Sequence, residues 1–192
     1  MGRPRTTTDG EVLAAASRVV TLLGPSGLTL AEVSREAGLA PATLLQRFGS
    51  KRGLLLALAA RSAAGVAEPF DGARAEHRSP LAALEGAMRA MVSFAATPEE
   101  LANHLALFQM DLRERDFHQL ALEHAGSLRE QIRSLLDEAV AAGELTPCDT
   151  ERLARAVQVT FNGSLVTWAV HRQGPVEDWV VDDLSYLLRP AR

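Results

Sequence analysis

Residues 27–58 read GLTLAEVSREAGLAPATLLQRFGSKRGLLLAL, and they predict two short helices separated by a tight turn. Thr29 begins a T-x-x-E spacing, the pattern of a capping box that satisfies free backbone N–H groups at a helix start. We therefore expect a helix over residues 30–37, ended by Gly38 in the left-handed conformation. Pro41 suits the first turn of a second helix, because the N–H group that proline lacks would have no intrahelical partner there.

The second helix has one apolar face and one polar face. Leu44 and Phe48 are spaced to be buried, and Thr43, Gln46 and Arg47 lie on the other face. Two short helices joined by a turn that contains glycine form a helix-turn-helix, whose second helix enters the major groove of DNA. An ordinary helical hairpin has the same caps, so the pattern alone leaves both interpretations open.

The same stretch resembles the DNA-binding domain of the tetracycline-repressor (TetR) family. The residues that carry the resemblance are Gly27, Leu28, Thr29, Glu32, Val33, Glu36, Ala37, Gly38, Thr43, Leu44, Phe48, Ser50 and Lys51. The resemblance is close over residues 9–60, and beyond them only helical length and layout agree. It implies an all-α protein with an N-terminal three-helix helix-turn-helix domain over residues 1–50. A connecting helix over 51–67 and a larger helical ligand-binding and dimerisation domain over 68–192 are expected to follow.

The resemblance also implies which residues contact DNA. Thr29, Lys51 and the start of the helix capped by Ser50 are expected to hold phosphates. The residues expected to face bases or the nearby backbone are Pro41, Ala42, Thr43, Gln46 and Arg47. Glutamine pairs naturally with adenine and arginine with guanine. Leu45 stands where the family usually has a tyrosine that reaches a phosphate, so we expect Leu45 either to touch a thymine methyl group or simply to pack.

The charge distribution agrees with a DNA-binding end. The 192 residues carry a net charge of -4, yet residues 1–61 contain eight basic and four acidic residues and the remainder carries -8. A basic end on an acidic body is expected when one part of a protein meets phosphate and the other does not. Arg3 and Arg5 belong either to a frayed terminus or to an arm that lies along the DNA backbone or minor groove. Asp9 is predicted to cap the first helix, which Gly24 and Pro25 end.

The remaining sequence predicts a helical body. Alanine and leucine dominate the composition and aromatic residues make up only 5%, which favours helices over strands. A polar loop is expected over residues 68–79. The apolar periodicity and the capping signals, including Thr97 before Pro98, predict further helices over about 80–96, 98–115, 117–142 and 150–172 and a last helix from Val176.

The last two helices predict a homodimer. The helix over 150–172 is apolar nearly all round, which indicates that it is covered on more than one side. We expect a four-helix contact between two copies, with the contact residues Leu165, Trp168, Trp179, Leu184, Leu187 and Leu188. The alternative is that these two helices complete the core of a single chain.

A small-molecule effector is the second expected partner, beside double-stranded DNA with a palindromic operator. Side chains from four predicted body helices are candidates for a mostly apolar pocket: Met91, Phe94, His104, Phe108, His118, Phe161 and Asn162. Each of them has the alternative interpretation of an ordinary core or surface residue. The expected function is therefore a repressor that a hydrophobic or amphipathic effector releases from DNA.

The competing class is a helical enzyme or a protein-interaction module. Cys148 has no histidine near it in sequence, and the chain has neither a P-loop nor a Rossmann glycine pattern, so we expect no cofactor and no catalytic site. A metal sensor built from His104, Asp111 and His118 is a further alternative.

One cysteine and the lack of a basic, apolar leader favour the cytoplasm. The apolar run 153–170 is interrupted by polar residues, which argues against a membrane span.

Overall fold

A computed structural model describes residues 7–189, and these residues form ten helices and no strand. The all-α prediction is confirmed. The helices are α1 (Asp9–Gly27), α2 (Leu30–Ala37), α3 (Pro41–Phe48), α4 (Lys51–Ala64), α5 (Ala67–Glu76), α6 (Pro80–Met91), α7 (Pro98–Arg113), α8 (Arg115–Ala141), α9 (Thr150–His171) and α10 (Val176–Leu187).

The helices divide between two compact units. The first unit comprises the described residues through Ser62 together with Ala102–Ala121, and the second comprises Ala63–Leu101 and the described residues from Leu122 onward. Helices α4, α7 and α8 therefore contribute residues to both units. The domain boundaries after residues 50 and 67 stay predictions.

The first unit has its own core around the helix-turn-helix. Apolar side chains from α1 to α4 meet there, and Phe117 from the start of α8 joins them. The buried members of this core are Val12, Ala16, Val19, Val20, Leu28, Val33, Leu44, Leu54, Leu55 and Phe117. Because α3 contributes Leu44 to this core, the opposite face of α3 is held outward.

The second unit has a separate and larger core. Helix α9 packs against α10, α5 packs against α6, and α6 also packs against α10. The largest fully buried side chains of this unit are Phe70, Leu84, Met88, Ile132, Leu135, Leu136 and Leu184.

Two predictions on secondary structure, one on a helix cap and one on a loop, are wrong. The first helix is capped by Thr8 rather than Asp9, because the Thr8 side chain accepts from the Glu11 N–H and the Glu11 carboxylate accepts from the Thr8 N–H. The polar loop predicted over 68–79 is helix α5 for most of its length. Pro69 does not break this helix because it lies in the first turn, where a proline costs no intrahelical hydrogen bond.

The stretch Lys51–Glu76 is the one among the described residues that is long and apolar enough to cross a membrane by length and composition. Part of its apolar character is explained by Leu54, Leu55 and Phe70, which are buried in the two cores. The apolar run of α9 does not meet the same criterion.

Candidate DNA-binding surface

The turn between α2 and α3 is built from local signals. The Thr29 side chain accepts from the Glu32 N–H at 3.1 Å and starts α2. Gly38 has φ 68°, a left-handed conformation that favours glycine, and the N–H of Leu39 then reaches the Ser34 carbonyl at 2.9 Å. The turn fixes the direction in which α3 leaves α2, as the sequence predicts.

Helix α3 presents a narrow outward face. Pro41, Ala42, Leu45 and Gln46 are exposed, and Leu44 is fully buried. Thr43 and Arg47 border this face and are partly covered, and so is Phe48 on the core side. The predicted base-contacting residues therefore lie together on one helix, with Gln46 as the exposed hydrogen-bonding side chain among them.

The start of α4 lies close to the end of α3. The Ser50 hydroxyl accepts from the Gly53 N–H at 3.0 Å, which confirms Ser50 as the cap. A side chain at position 53 would place its Cβ 2.0 Å from the Phe48 carbonyl oxygen, so only glycine allows this approach. Lys51 stands in the first turn of α4, and its amine donates to the Ser26 carbonyl at 3.2 Å. Phosphate binding by this amine and by the first N–H groups of α4 stays a prediction.

Arg47 is tied to the start of α1. Its guanidinium donates to the Thr7 carbonyl at 2.7 Å and lies 3.3 Å from the Asp9 carboxylate. Arg47 therefore contacts a base only if these bonds are exchanged, and its base contact stays a prediction. The residues 1–6, which carry Arg3 and Arg5, lie outside the described residues.

Arg52 makes three side-chain contacts within the first unit. It donates to the Glu114 carboxylate at 3.2 Å and to that of Asp116 at 2.9 Å, and it lies over the Phe117 ring. The hydrogen bond to Asp116, followed by that to Glu114, raises the pKa of Arg52 above its ordinary value. The junction of α7 and α8 is thereby fixed to the start of α4. Sequence reasoning missed this contact because the partners are more than 60 residues apart and carry no local signal.

The predicted effector residues do not form one described cavity. Phe161 is buried in the core of the second unit, and Met91 and Phe94 pack against that core, whereas Asn162 is exposed. The other three belong to the first unit: His104, Phe108 and His118. The His104 ring hydrogen-bonds to the Thr21 hydroxyl at 3.0 Å. The assignment of these seven residues to a pocket stays a prediction.

Two open depressions lie in the second unit. One has a volume of about 250 Å³ and includes Pro98, Trp168 and Arg172, and the other has about 460 Å³ and includes Arg74 and Glu138. Neither is lined by a predicted effector residue.

A metal site has no support among the residues that the structure describes. No group of three histidine, cysteine, aspartate or glutamate side chains is placed to hold an ion there. The Asp111 side chain is not among those described. The alternative of a metal sensor built from His104, Asp111 and His118 is therefore not tested and stays a prediction.

The residues predicted to make the dimer contact are mostly core residues of the single chain. Leu165, Trp168, Leu184 and Leu188 are buried within the second unit, and Trp179 and Leu187 are partly covered by the same core. For the four buried residues the predicted contact is wrong, because their side chains are already packed. The exposed apolar residues of α9 and α10 are Val159, Val166, Val170 and Tyr186.

Comparison with known proteins agrees with this description. Residues 12–58 match the family described as "Bacterial regulatory proteins, tetR family". The chain is 29% identical over 153 residues to the HTH-type transcriptional regulator BetI of Rhizobium meliloti, covering 78% of this chain and 71% of that protein.

Solved structures with low sequence identity share the fold. One is a transcriptional regulator FadR from Bacillus subtilis in complex with stearoyl-CoA, with a TM-score of 0.73, 17% identity and coverage of 96% of this chain and 100% of that one. Another is a TetR transcription regulator from Haloarcula marismortui, with a TM-score of 0.77, 15% identity and coverage of 94% and 95%.

Proposed function

We propose that this chain, which belongs to the tetR family of bacterial transcription regulators, is a dimeric repressor released from its operator by a small apolar or amphipathic molecule. The observation that carries the DNA-binding part is the outward face of α3 beside the first turn of α4. We place the protein in the cytoplasm, where its DNA lies, and expect no enzymatic activity.

The DNA-binding surface combines positioning and reading. Lys51, Thr29 and the first N–H groups of α4 hold phosphates, which fixes the register of the protein on DNA without reading sequence. Gln46 and its exposed neighbours on α3 reach base edges in the major groove. Two copies related by a two-fold axis then read a palindromic site, with their α3 helices about 34–36 Å apart or somewhat more.

The dimer contact runs along the exposed side of α9. Val159, Val166 and Val170 are 63%, 46% and 76% exposed, and they follow one another at helical spacings of seven and four residues. Gly163 lies between them on the same side and allows close approach. A continuous apolar stripe of this length is unfavourable in water, and a second copy that presents the same stripe covers it.

The effector is apolar or amphipathic. The FadR relative of known structure was solved with stearoyl-CoA, an amphipathic molecule. Met91, Phe94 and Phe161 supply an apolar cluster in the second unit of this chain. On the first unit, α7 exposes Leu105, Phe108 and Leu112 along one side.

Release follows from a shift in conformational population. An effector that binds one conformation of the body more tightly favours that conformation, and equal affinity for both would release nothing. Helices α4, α7 and α8 contribute to both units, and Arg52 joins the start of α4 to the junction of α7 and α8. Movement of α4 displaces Lys51 and changes the spacing of the two α3 helices.

The proposal is tested by fluorescence anisotropy with DNA from upstream of the protein's own reading frame, at two salt concentrations. Wild-type protein is expected to bind one segment selectively. Lys51→Ala should weaken binding to all sequences equally and lower the magnitude of the slope of log K against log[salt] by about two, because a dimer carries two copies of Lys51. Gln46→Ala should instead change the preferred sequence.

The control for charge is Arg78→Ala, which removes an exposed cation of the second unit and should leave the salt slope unchanged. Fatty acids and acyl-coenzyme A esters are then added to the wild-type complex, and one class is expected to release the DNA. Binding that ignores sequence would contradict the regulator proposal. Selective binding that no such compound disturbs would contradict the effector class.

A further inference from the structure

The outward face of α3 is poor in groups that form hydrogen bonds. Of its four exposed residues, Pro41, Ala42 and Leu45 have apolar side chains and only Gln46 has a polar one. Leu45 is 53% exposed, although its neighbour Leu44 is fully buried. Leu45 therefore faces outward from the helix and is not a packing residue of the core.

The chemistry of the major groove limits what such a face reads. The 5-methyl group of thymine is the apolar group on a base-pair edge in this groove, and alanine and larger apolar side chains contact it. The adenine of the same pair offers N6 and N7 to a glutamine. Arg47, which has the chemistry to read guanine, is held by Thr7 and Asp9 instead.

We propose that Leu45, assisted by Ala42, selects thymine by contact with its 5-methyl group, so that each operator half-site has A·T pairs opposite the middle of α3. The spacing of three residues places Ala42 and Leu45 on the same side of the helix. Gln46 reads the adenine of the same or the adjacent pair. The inference rests on the proposed function, since it names the base that the proposed surface recognises.

The test replaces thymine by deoxyuridine, which keeps the base pairing and removes only the methyl group. The operator is first selected from randomised duplexes with wild-type protein, and each thymine is then replaced singly. We expect one or two positions per half-site at which the wild-type protein loses roughly fourfold in affinity for each methyl group removed.

Leu45→Ala completes a double-mutant cycle. This variant should bind the thymine and deoxyuridine duplexes equally at those positions, because the partner of the methyl group is gone. Leu45→Met keeps an apolar side chain and should retain the preference for thymine. The matched control is Leu22→Ala, the same substitution at a leucine of α1 that is 68% exposed, and it should leave the preference at the wild-type value.

Two results would overturn the inference while leaving the proposed function intact. In the first, the protein selects a sequence but no thymine in it is sensitive to loss of its methyl group. In the second, Leu45→Ala retains the full preference for thymine over deoxyuridine. Failure to select any sequence would overturn the proposed function, and the inference with it.

Discussion

Leu45 on α3 and the valines of α9 are comparably exposed but have different surroundings. Leu45 is the largest of three exposed apolar side chains on an eight-residue helix, next to Gln46 and close in sequence to Lys51, within the net positive part of the chain. Val159, Val166 and Val170 repeat along one side of the 22-residue helix α9 in the net negative part. Exposure alone therefore does not identify the partner of an apolar side chain.

The extent of each exposed apolar surface and the charge around it indicate which partner the surface has. A short apolar face beside Gln46, in a part of the chain with net positive charge, matches a small apolar group on a polyanion, such as the methyl group of a base. A stripe that repeats over several turns needs an apolar partner of its own length, which a second copy of α9 provides. Three substitutions, beginning with the one of greatest expected effect, test the α9 stripe, the DNA-binding surface and the stability of the first unit.

Val166→Glu places a charge in the centre of the α9 stripe. In a symmetric dimer both copies of the charge would be buried, at a cost of roughly 2 kcal/mol each, so the dimer dissociation constant should rise by about a thousandfold. Sedimentation equilibrium measures this. Val166→Ala, which adds no charge, should have a much smaller effect. A variant dimer as tight as the wild type would place the contact elsewhere.

Gly53→Ala should damage the DNA-binding surface and leave the α9 stripe intact. The new Cβ would lie 2.0 Å from the Phe48 carbonyl, so α4 must shift away from α3. We expect a loss of about 1–3 kcal/mol in the free energy of unfolding and weaker operator binding. Urea denaturation and anisotropy measure the two effects.

The control is Gly126→Ala, at a glycine of α8 where an added Cβ meets nothing within 4 Å. It should gain about 0.5–1 kcal/mol in the free energy of unfolding, because alanine is the better helix former. Equal behaviour of the two alanine variants would show that the approach of α3 and α4 does not require glycine.

Ser34→Ala should stabilise the first unit without changing either surface. The Ser34 hydroxyl is buried in α2 and has no hydrogen-bond partner within the described part of the chain. Its removal should increase the free energy of unfolding by about 1 kcal/mol, which raises Tm by about 2–4 °C. Differential scanning calorimetry measures the change.

Ser164→Ala is the matched substitution in the second unit. The hydroxyl of Ser164 is also buried but lies 2.6 Å from the Asp183 carboxylate and 2.8 Å from the Thr160 carbonyl. This variant should lose stability, because the hydrogen bond that the Ser164 hydroxyl donates is lost and the Asp183 carboxylate no longer has this donor beside it. A destabilised Ser34→Ala protein would mean that the Ser34 hydroxyl has a partner in solution.

The helix-turn-helix was predictable from sequence because its signals are local. Thr29, Gly38, Pro41 and Ser50 each act on backbone groups within a few residues, so their spacing specifies the caps and turns. The buried side of α3 followed in the same way from the position of Leu44.

Contacts between distant residues were not predictable. The bonds of Arg47 to Thr7 and Asp9 and the place of Phe117 in the first core depend on how separate helices meet. Helix α9 shows the limit of periodicity: because it is apolar on most sides, its pattern does not distinguish the side that packs in the chain from the side left exposed. For this reason the pattern predicts Leu165 and Trp168 in the dimer contact, whereas both pack within the single chain.

The most direct measurement uses two unique reactive groups. Lys51 is the only lysine of the chain and Cys148 its only cysteine, and Cys148 is exposed in the second unit. Acylation of Lys51 and alkylation of Cys148 are followed by peptide mass spectrometry with the selected operator and with a scrambled duplex of the same composition. The proposed DNA-binding surface predicts that the operator slows acylation of Lys51 well beyond the scrambled duplex and leaves Cys148 unaffected. Unchanged reactivity of Lys51 on the operator, or protection of Cys148 alone, would contradict it.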